Sequence, residues 1–570
     1  MHARLTLISI AFLLAFLALI ARLFFWQIIQ GRVLSAQARD QYQQGATLLA
    51  PRGSILASDG SWLAARVEGW LVFAEAPKLK QDISEIADKL APFFVEDSSD
   101  QQSVVAEAGR LKEALGRKAT VWIPLKHKVS GEVKKNIEAL KIEGIGFEHE
   151  ERRYYPEASA AAQILGFVGK NEEGEDQGYF GLEGYYDLVL SGKPGFLSRE
   201  KDATGLPIIL GSEREISAIE GVELVTNIDK RVQLTLEKKL LEGMEKYGAS
   251  SASAIVMEPS TGSILAMSSF PSYDPAKYSQ FGDSYFKNPV VSDSFEPGSV
   301  FKVIVMASAL DQGVVEPDTK CDICQGPLKV DKYFIETWNK EYRPDSTMAD
   351  VIVYSDNVGM AYVAQRLGAD SLYDYLDKFG IGKLTGIDLQ GEASSALRQK
   401  GSWNIVDLAT AGFGQGVAVT PIQLITAVSA IANDGILVKP QVVGSLKGPG
   451  WEEDIRPEAG HRVISKEASD EMTAMMVEAA KGGEAKWTHL RGFKVAGKTG
   501  TAQIPIAGHY DAEKTIASFV GFAPADEPKF VMLVTMKEPQ SSPWASETAA
   551  PLWYSIAKEL FPYFGIQPEN

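Results

Sequence analysis

Two groups of strand-like segments bracket a long helical stretch in the second half of this 570-residue chain, and they constrain its fold most. "SASAIVMEPSTGSILAMSSF" (251–270) reads as two alternating strands around a Pro-Ser-Thr-Gly turn, a hairpin. "FKVAGKTGTAQI", "TIASFVGFAPA" and "KFVMLVTMK", between 493 and 537, read as three more strands. Helical patterns dominate between the two groups. Strands at both ends of a helical middle predict one α+β domain, its sheet closed by segments far apart in the chain. Just ahead, "ELVTNIDKRVQLTLEKKLLEGMEKY" predicts a short strand ending near Asn227, an N-cap at Asp229, and a helix with Val232, Leu236, Leu240 and Leu241 at apolar spacing.

The other end of the chain is of a different kind. Residues 5–21, "LTLISIAFLLAFLALIA", carry no charge, and "LFFWQII" after Arg22 extends the run to the ~20 residues that cross a bilayer. Trp26 then falls near an interface. "AQA" at 36–38 resembles a signal-peptidase site, but the apolar run exceeds the usual h-region of about 7–15 residues and Arg22 interrupts the path. The reading is an uncleaved single-pass anchor over residues 5–30. Arg4 precedes it while Arg22, Arg32 and Arg39 follow, so the positive-inside rule alone points the wrong way for an exported domain. No second spanning segment follows, which puts everything after about residue 40 on one side.

Residues 41–225 are polar and rich in turn residues. "PRGSILASDG" predicts a strand pair turning at Asp59-Gly60, 80–145 reads as a charged helical stretch, and "GYFGLEGYYDLVLSGKPGF" as a short helix between breakers. No nucleophile-and-base pattern stands out there, so this part reads as a scaffold or partner-binding module. The length allows two or three domains. A net charge of −17 argues against general nucleic-acid binding. Cys321 and Cys324 are too few for a zinc site, and the six histidines lack ligand spacing, so no metal or cofactor is expected. The two cysteines are either a structural disulfide or inert thiols.

Chemistry enters with "EPGSVFKVIVMASAL" (296–310). Lys302 sits in a run that is otherwise apolar from Val300 to Leu310 apart from Ser308. Burying an unpaired ammonium costs several kcal/mol or more, so a plain core helix does not explain it. Pro297 and Gly298 set Ser299 at the helix start, and residues three apart share a face. A desolvated lysine has a lowered pKa and can take a serine proton, while the helix N-terminus offers N–H groups to an oxyanion.

That pair is cheap alone: Ser198 and Lys201 in "SREK" match it in what reads as a solvated loop, and a lone Ser299 is most simply a cap. "SDN" (Ser355, Asp356, Asn357) lies between apolar residues, where polar side chains need partners, though "SWN" at 402–404 shows how common the pattern is. "KTG" (Lys498, Thr499, Gly500) falls on a strand, where a glycine lets a ligand approach. In this order the three form the motif set of class A β-lactamases and penicillin-binding proteins.

At these residues the chain resembles the class B penicillin-binding proteins, the monofunctional peptidoglycan transpeptidases, over nearly its whole length. "RLFFWQIIQG" after the anchor, "PRGSI" (51–55), "RRYYPEASAAAQILGFVG" from Arg152 and "GLEGYYDLVLSGKPG" from Gly181 look like the family's N-terminal pedestal. "AGFGQGVAVTPIQL" from Ala411 and "AGKTGTAQ" from Ala496 are similar to the septal, division-type branch. "ASDG" stands where the family often has Asp-Arg-Asn-Gly, a departure in the pedestal. The resemblance implies three regions: a cytoplasmic tip and transmembrane anchor (1–40), an elongated mixed α/β pedestal of the dimerisation type (41–225), and a transpeptidase domain (226–570) with a β-lactamase-like antiparallel sheet.

It also implies roles. Ser299 would attack the D-Ala-D-Ala carbonyl of a stem peptide or lipid-linked precursor, with Lys302 as base and the N–H groups of Ser299 and Thr501 as oxyanion hole. Ser355 would relay a proton to the leaving D-Ala, Asn357 would bind the substrate amide, and Lys498 with Thr499, beside Gly500, would receive the terminal carboxylate. β-Lactams would acylate the same serine. The domain would then lie outside the cytoplasmic membrane with the N-terminus inside, which settles the orientation. The expected partners are a membrane-embedded glycan polymerase of the SEDS type and other division proteins.

Three other readings compete. A lateral-wall transpeptidase shares every motif. A membrane-anchored serine β-lactamase needs a carboxylate to activate water, for which Glu392 is the candidate, and a D,D-carboxypeptidase differs only in its acceptor. A non-catalytic division scaffold has no reason to keep Ser299, Lys302, Ser355 and Lys498.

Overall fold

The computed structural model describes residues 2–31, 34, 43–117, 121–200, 213–506 and 509–569. His2–Phe24 is an α-helix that runs on as a π-helical turn, Phe25–Ile29. Thr6–Ile29 is long and apolar enough to cross a membrane, reaching about 36 Å at 1.5 Å per residue. Arg22 does not break it, and its guanidinium lies 5.2 Å from the Trp26 ring.

The chain forms two compact units. The first, Met1–Arg52 with Ser191–Gly221, holds a three-stranded antiparallel sheet in the order Gln43–Leu48, Gly195–Glu200, Glu213–Ile216. Ser198 lies on its middle strand and is buried, not in the solvated loop expected for "SREK"; Lys201 lies outside the described residues.

The second unit, Gly53–Leu190 with Val222–Asn570, holds two larger sheets. One has seven strands drawn from both sides of residue 225. Glu223–Thr226 pairs in parallel with Ile55–Leu56 and antiparallel with Val443–Gly448, a short strand that the helical reading of this region missed. The turn before Trp62–Glu75 is at Asp59-Gly60 as expected, with Asp59 accepting from Ser61 N at 2.9 Å. The stretch 80–145 is not wholly helical. Trp122–Val129 is a strand, because Ile123 and Leu125 are buried between exposed neighbours, a period of two. Ile83–Leu90, Gln101–Leu115 and Gly131–Ala139 are the helices of that stretch, and they share its core.

"RRYYPE" and "GLEGYY" meet inside this unit. Arg153 Nε donates to Glu183 Oε1 at 2.6 Å, Arg153 Nη1 donates to Gly53 O at 2.6 Å, and Glu183 is fully buried.

The second sheet has five antiparallel strands in the order Ile264–Phe270, Ser251–Met257, Phe530–Lys537, His509–Ala523, Ala496–Ile506. It is the sheet expected from the two distant groups of segments. Alternation sorts its faces. Ala252, Ala254 and Val256 join a core with Val232, Leu236 and Leu240 of helix Lys230–Tyr247 and Trp553 of helix Ala549–Tyr563. Ile255 and Met257 face the core containing helices Lys302–Asp311, Pro421–Ile431 and Lys466–Gly482. Asp229 caps its helix through Arg231 N and Val232 N, as expected. Leu241, one position past Leu240, is turned about 100° away and is exposed.

Truncating one partner of a buried ion pair strands the other charge, at a cost of about 3–5 kcal/mol. Glu183→Ala is therefore expected to lower the unfolding free energy by about that amount, measured by urea denaturation of the detergent-solubilised chain.

Candidate active site

The turn that carries Ser299 is shaped by backbone contacts. Gly298 adopts a φ of 56°, and its N donates to Gly414 O at 3.1 Å. A Cβ on Gly414 would lie 2.2 Å from Gly298 O, so only glycine lets "FGQG" approach this closely. Gly416 N donates to Glu296 Oε1 at 3.0 Å and ties down the other side. Sequence reasoning saw the "FGQG" stretch but not this buttressing role.

Gly298–Phe301 is a 3₁₀ turn that passes into the α-helix at Lys302. In a 3₁₀ turn residues i and i+3 eclipse, which aligns Ser299 with Lys302. Ser299 is part-exposed, while Lys302 through Leu310 are all buried. The helix is apolar all round because it is enclosed all round.

The edge strand Ala496–Ile506 lies against the turn through Gly500. A Cβ there would fall 2.8 Å from Val300 Cγ1 and 3.0 Å from Pro297 O. The glycine was expected to open the strand to a ligand. Its missing side chain instead leaves room for the nucleophile turn.

Ser355 follows the short helix Met348–Val353 in a left-handed conformation, φ 57°. For a non-glycine residue this costs about 1–3 kcal/mol, and such strain clusters at functional sites. Asp356 caps helix Asn357–Leu367 through Val358 N and Gly359 N, so the middle residue of "SDN" is structural. The other two face Lys302. Its Nζ donates to Ser355 O at 2.6 Å and Asn357 Oδ1 at 2.8 Å, and lies 3.2 Å from Ser355 Oγ. Lys498 Nζ approaches the same hydroxyl at 3.0 Å. One serine hydroxyl thus stands between two lysine nitrogens.

Burial pulls Lys302 down from the ordinary lysine value to about 7; the Lys498 charge pushes the same way, while Glu484 and Asp356 oppose. Burial also holds Lys498 below its ordinary value, against the pull of Glu484. A neutral amine has two N–H donors and one lone pair. With the donors spent on Ser355 O and Asn357 Oδ1, the lone pair of Lys302 is left for a hydroxyl proton.

The remaining residues sit close by with other partners. Thr499 Oγ1 donates to Glu484 Oε2 at 2.8 Å, Thr501 Oγ1 accepts from Ala545 N at 3.0 Å, and Asn357 Nδ2 donates to Glu336 O at 3.0 Å. Glu484 went unnoticed in the sequence, where "KGGEAKW" looks like any solvated charge run. Trp338 and Trp544 were missed too. Their half-exposed rings meet at 5.2 Å, joining the segment after Glu336 to the one before Ala545. Glu392 is bound in its own loop, accepting from Thr385 N at 2.6 Å and Gly386 N at 3.0 Å. Cys321 and Cys324 form a disulfide, one of the two alternatives left open. Among the described residues no group of three or more His, Cys, Asp or Glu could hold a metal.

A Ser-x-x-Lys turn, a Ser-x-Asn loop and a Lys-Thr-Gly edge strand on a five-stranded antiparallel sheet define a penicillin-recognising active-serine domain. Residues 252–560 match the penicillin binding protein transpeptidase domain, and residues 47–226 match the penicillin-binding protein dimerisation domain. The chain is 32% identical over 572 residues to stage V sporulation protein D of Bacillus subtilis, covering 100% of this chain and 86% of that protein. It is 31% identical over 450 residues to the peptidoglycan D,D-transpeptidase FtsI of Escherichia coli, covering 79% and 73%. Among solved structures, penicillin binding protein 2X of Streptococcus thermophilus superposes with a TM-score of 0.74 at 25% identity, covering 92% of this chain and 81% of that one. Penicillin binding protein 3 of Mycobacterium tuberculosis, complexed with aztreonam, gives 0.70 at 25% identity, covering 92% and 98%. The chain belongs to the penicillin-binding protein family, in its class B.

The Lys302 value sets a pH dependence. With Lys302 in the base role expected of it, only the neutral amine takes the proton, so the second-order rate of acylation by a penicillin is expected to rise about tenfold per pH unit below the pKa and level off above about 7. It should fall again at alkaline pH as Lys498 loses its charge. Stopped-flow acylation across the pH range measures both limbs.

Proposed function

We propose that this protein is a peptidoglycan D,D-transpeptidase acting in septal wall synthesis. The observation that carries the reading is the hydrogen-bonded convergence of Lys302, Ser355, Asn357 and Lys498, with Lys302 three residues past a part-exposed Ser299 on the same turn. Ser299 Oγ attacks the penultimate D-Ala carbonyl of a stem peptide, on the lipid-linked precursor or the wall, and its proton passes to Lys302 Nζ. The oxyanion is held by the N–H groups of Ser299 and Thr501, the first at a helix start where N–H groups lack intrahelical acceptors. Asn357 orients the substrate amide, and the Lys498 ammonium, with Thr499, takes the terminal carboxylate at the Gly500 strand. The tetrahedral intermediate collapses, the C–N bond breaks, and Ser355 passes a proton to the departing D-Ala amine while taking the former Ser299 proton from Lys302 Nζ, 3.2 Å away. An amine of a neighbouring stem then attacks the ester, the C–O bond to Ser299 breaks, and the proton lost by the amine passes back to Ser299 Oγ through Lys302, leaving the crosslink and the free serine.

A β-lactam enters the same path. Its broken amide stays tethered to the acyl group, so the leaving amine blocks the acceptor and the acyl-enzyme persists.

The apolar helix Thr6–Ile29 anchors the chain in the cytoplasmic membrane with the N-terminus inside, which puts the catalytic domain outside, where its substrate lies. The domain limits fit this use: 1–40 for tip and anchor, 41–225 for the pedestal, 226–570 for catalysis. Pedestal and anchor are the surfaces for a membrane-embedded glycan polymerase of the SEDS type and other division proteins.

A fluorescent penicillin is expected to label the chain on Ser299 and to leave Ser299→Ala unlabelled. Lys302→Ala should slow acylation by about 10²–10⁴-fold, the span of general-base catalysis, with little change in initial binding. An acyl-enzyme lifetime of minutes or longer fits a transpeptidase, whereas turnover within seconds would overturn the reading in favour of a lactamase.

A further inference from the structure

Glu484 has no part in the acyl transfer just described, yet it is wired to it. It follows Gly482 and Gly483, where helix Lys466–Gly482 ends and Gly483 N bonds back to Ala479 O. Its carboxylate accepts the Thr499 hydroxyl proton at 2.8 Å. Thr499 Oγ1 has only one proton to give, so its lone pairs are left for Lys498 Nζ, 3.3 Å away. Lys498 Nζ reaches Ser355 Oγ at 3.0 Å, and Ser355 Oγ lies 3.2 Å from Lys302 Nζ. The line runs from carboxylate to hydroxyl to ammonium to hydroxyl to amine.

We propose that Glu484 is a positioning residue: acting through Thr499, it keeps Lys498 the charged member of the lysine pair, so that Lys498 can bind a carboxylate while Lys302 stays free to accept a proton. Besides Lys302 and Lys498, which belong to this line, Asp356 of the Ser355 loop bears on it, while Lys481, at the end of helix Lys466–Gly482, is turned to solvent. Asp356 is committed to Val358 N and Gly359 N. Among the described residues Glu484 is the charge that opposes the desolvation of Lys498, and it acts on Lys302 as well. Its loss therefore lowers both lysines, with Lys498, joined to it by the hydroxyl, moving further.

The inference rests on the transpeptidase reading, and its test separates the two. The full chain in detergent is acylated with a penicillin across the pH range, and initial binding is resolved from the acylation step. Glu484→Gln keeps an acceptor for the Thr499 hydroxyl and removes only the charge; Glu484→Ser is a second, smaller neutral variant; Glu484→Asp keeps the charge. In either neutral variant that folds, the alkaline limb is expected to move to lower pH by about one unit, the lower end of the range for a nearby opposite charge. Initial binding weakens with it at mildly alkaline pH, and the maximal acylation step changes less. Glu484→Asp should restore the wild-type limb. A Glu484→Gln or Glu484→Ser profile that overlays the wild type, or a Glu484→Asp profile equal to the neutral ones, overturns the inference while Ser299 labelling stands. A wild type that is not acylated on Ser299 overturns the transpeptidase reading and this inference with it.

Discussion

Two lysine nitrogens lie 3.2 and 3.0 Å from one buried serine hydroxyl, and most of the catalytic unit is arranged to make that tolerable. Two unpaired ammonium groups in a protein interior cost several kcal/mol each. The cost falls if one is neutral and the other is matched by a carboxylate and polar donors and acceptors. Lys302 meets the first condition by complete burial and by its neighbour's charge; Lys498 meets the second through Ser355, Thr499 and, one bond further, Glu484. Enclosing the central helix on every side follows from this, since water at Lys302 would restore its charge. So does the left-handed backbone at Ser355, which sends both its carbonyl and its hydroxyl toward the amines.

Bringing these groups together from three distant segments depends on close backbone packing. The central helix, the Ser355 loop and the edge strand are separated by 53 and 143 residues along the chain. They converge because hairpin Ser251–Phe270 and the three C-terminal strands form one sheet, with Ala496–Ile506 at its edge. An edge strand has one unpaired side, and here the nucleophile turn lies against that strand. Gly414 and Gly500 permit the contact by lacking side chains where a Cβ would collide.

What was legible in the sequence follows the same physics. Strands buried on both faces and a fully enclosed helix show as apolar runs, so a charge among them, Lys302, stands out at once. Asp229 and the Asp59-Gly60 turn were readable because caps and turns are local. What failed was set by partners far away. Val443–Gly448 becomes a strand only because Glu223–Thr226 is there to pair with it. Ser198 lies in a strand, not a loop, because strands pair with it on both sides. Gly500 reads as an opening for ligand until the Pro297–Val300 turn is seen to fill it. Glu484 is invisible for the same reason, since nothing in "KGGEAKW" reveals that a threonine hydroxyl arrives beside it from the next strand.

The carboxylates around the site also bear on what resolves the acyl-enzyme. Hydrolysis needs a base that can deprotonate water next to the ester, and a carboxylate can serve only if its oxygens are free. Asp356 is held by two helix N–H groups, and Glu392 is held within its own loop. Glu484 accepts the Thr499 hydroxyl at 2.8 Å. Asp356 and Glu392 are thus committed elsewhere, Glu484 is bonded to Thr499, and Lys302 is the base proposed for the serine proton. An incoming amine is a far better nucleophile than water and needs less help from a base. This set of side chains therefore favours transfer to an amine over release to water.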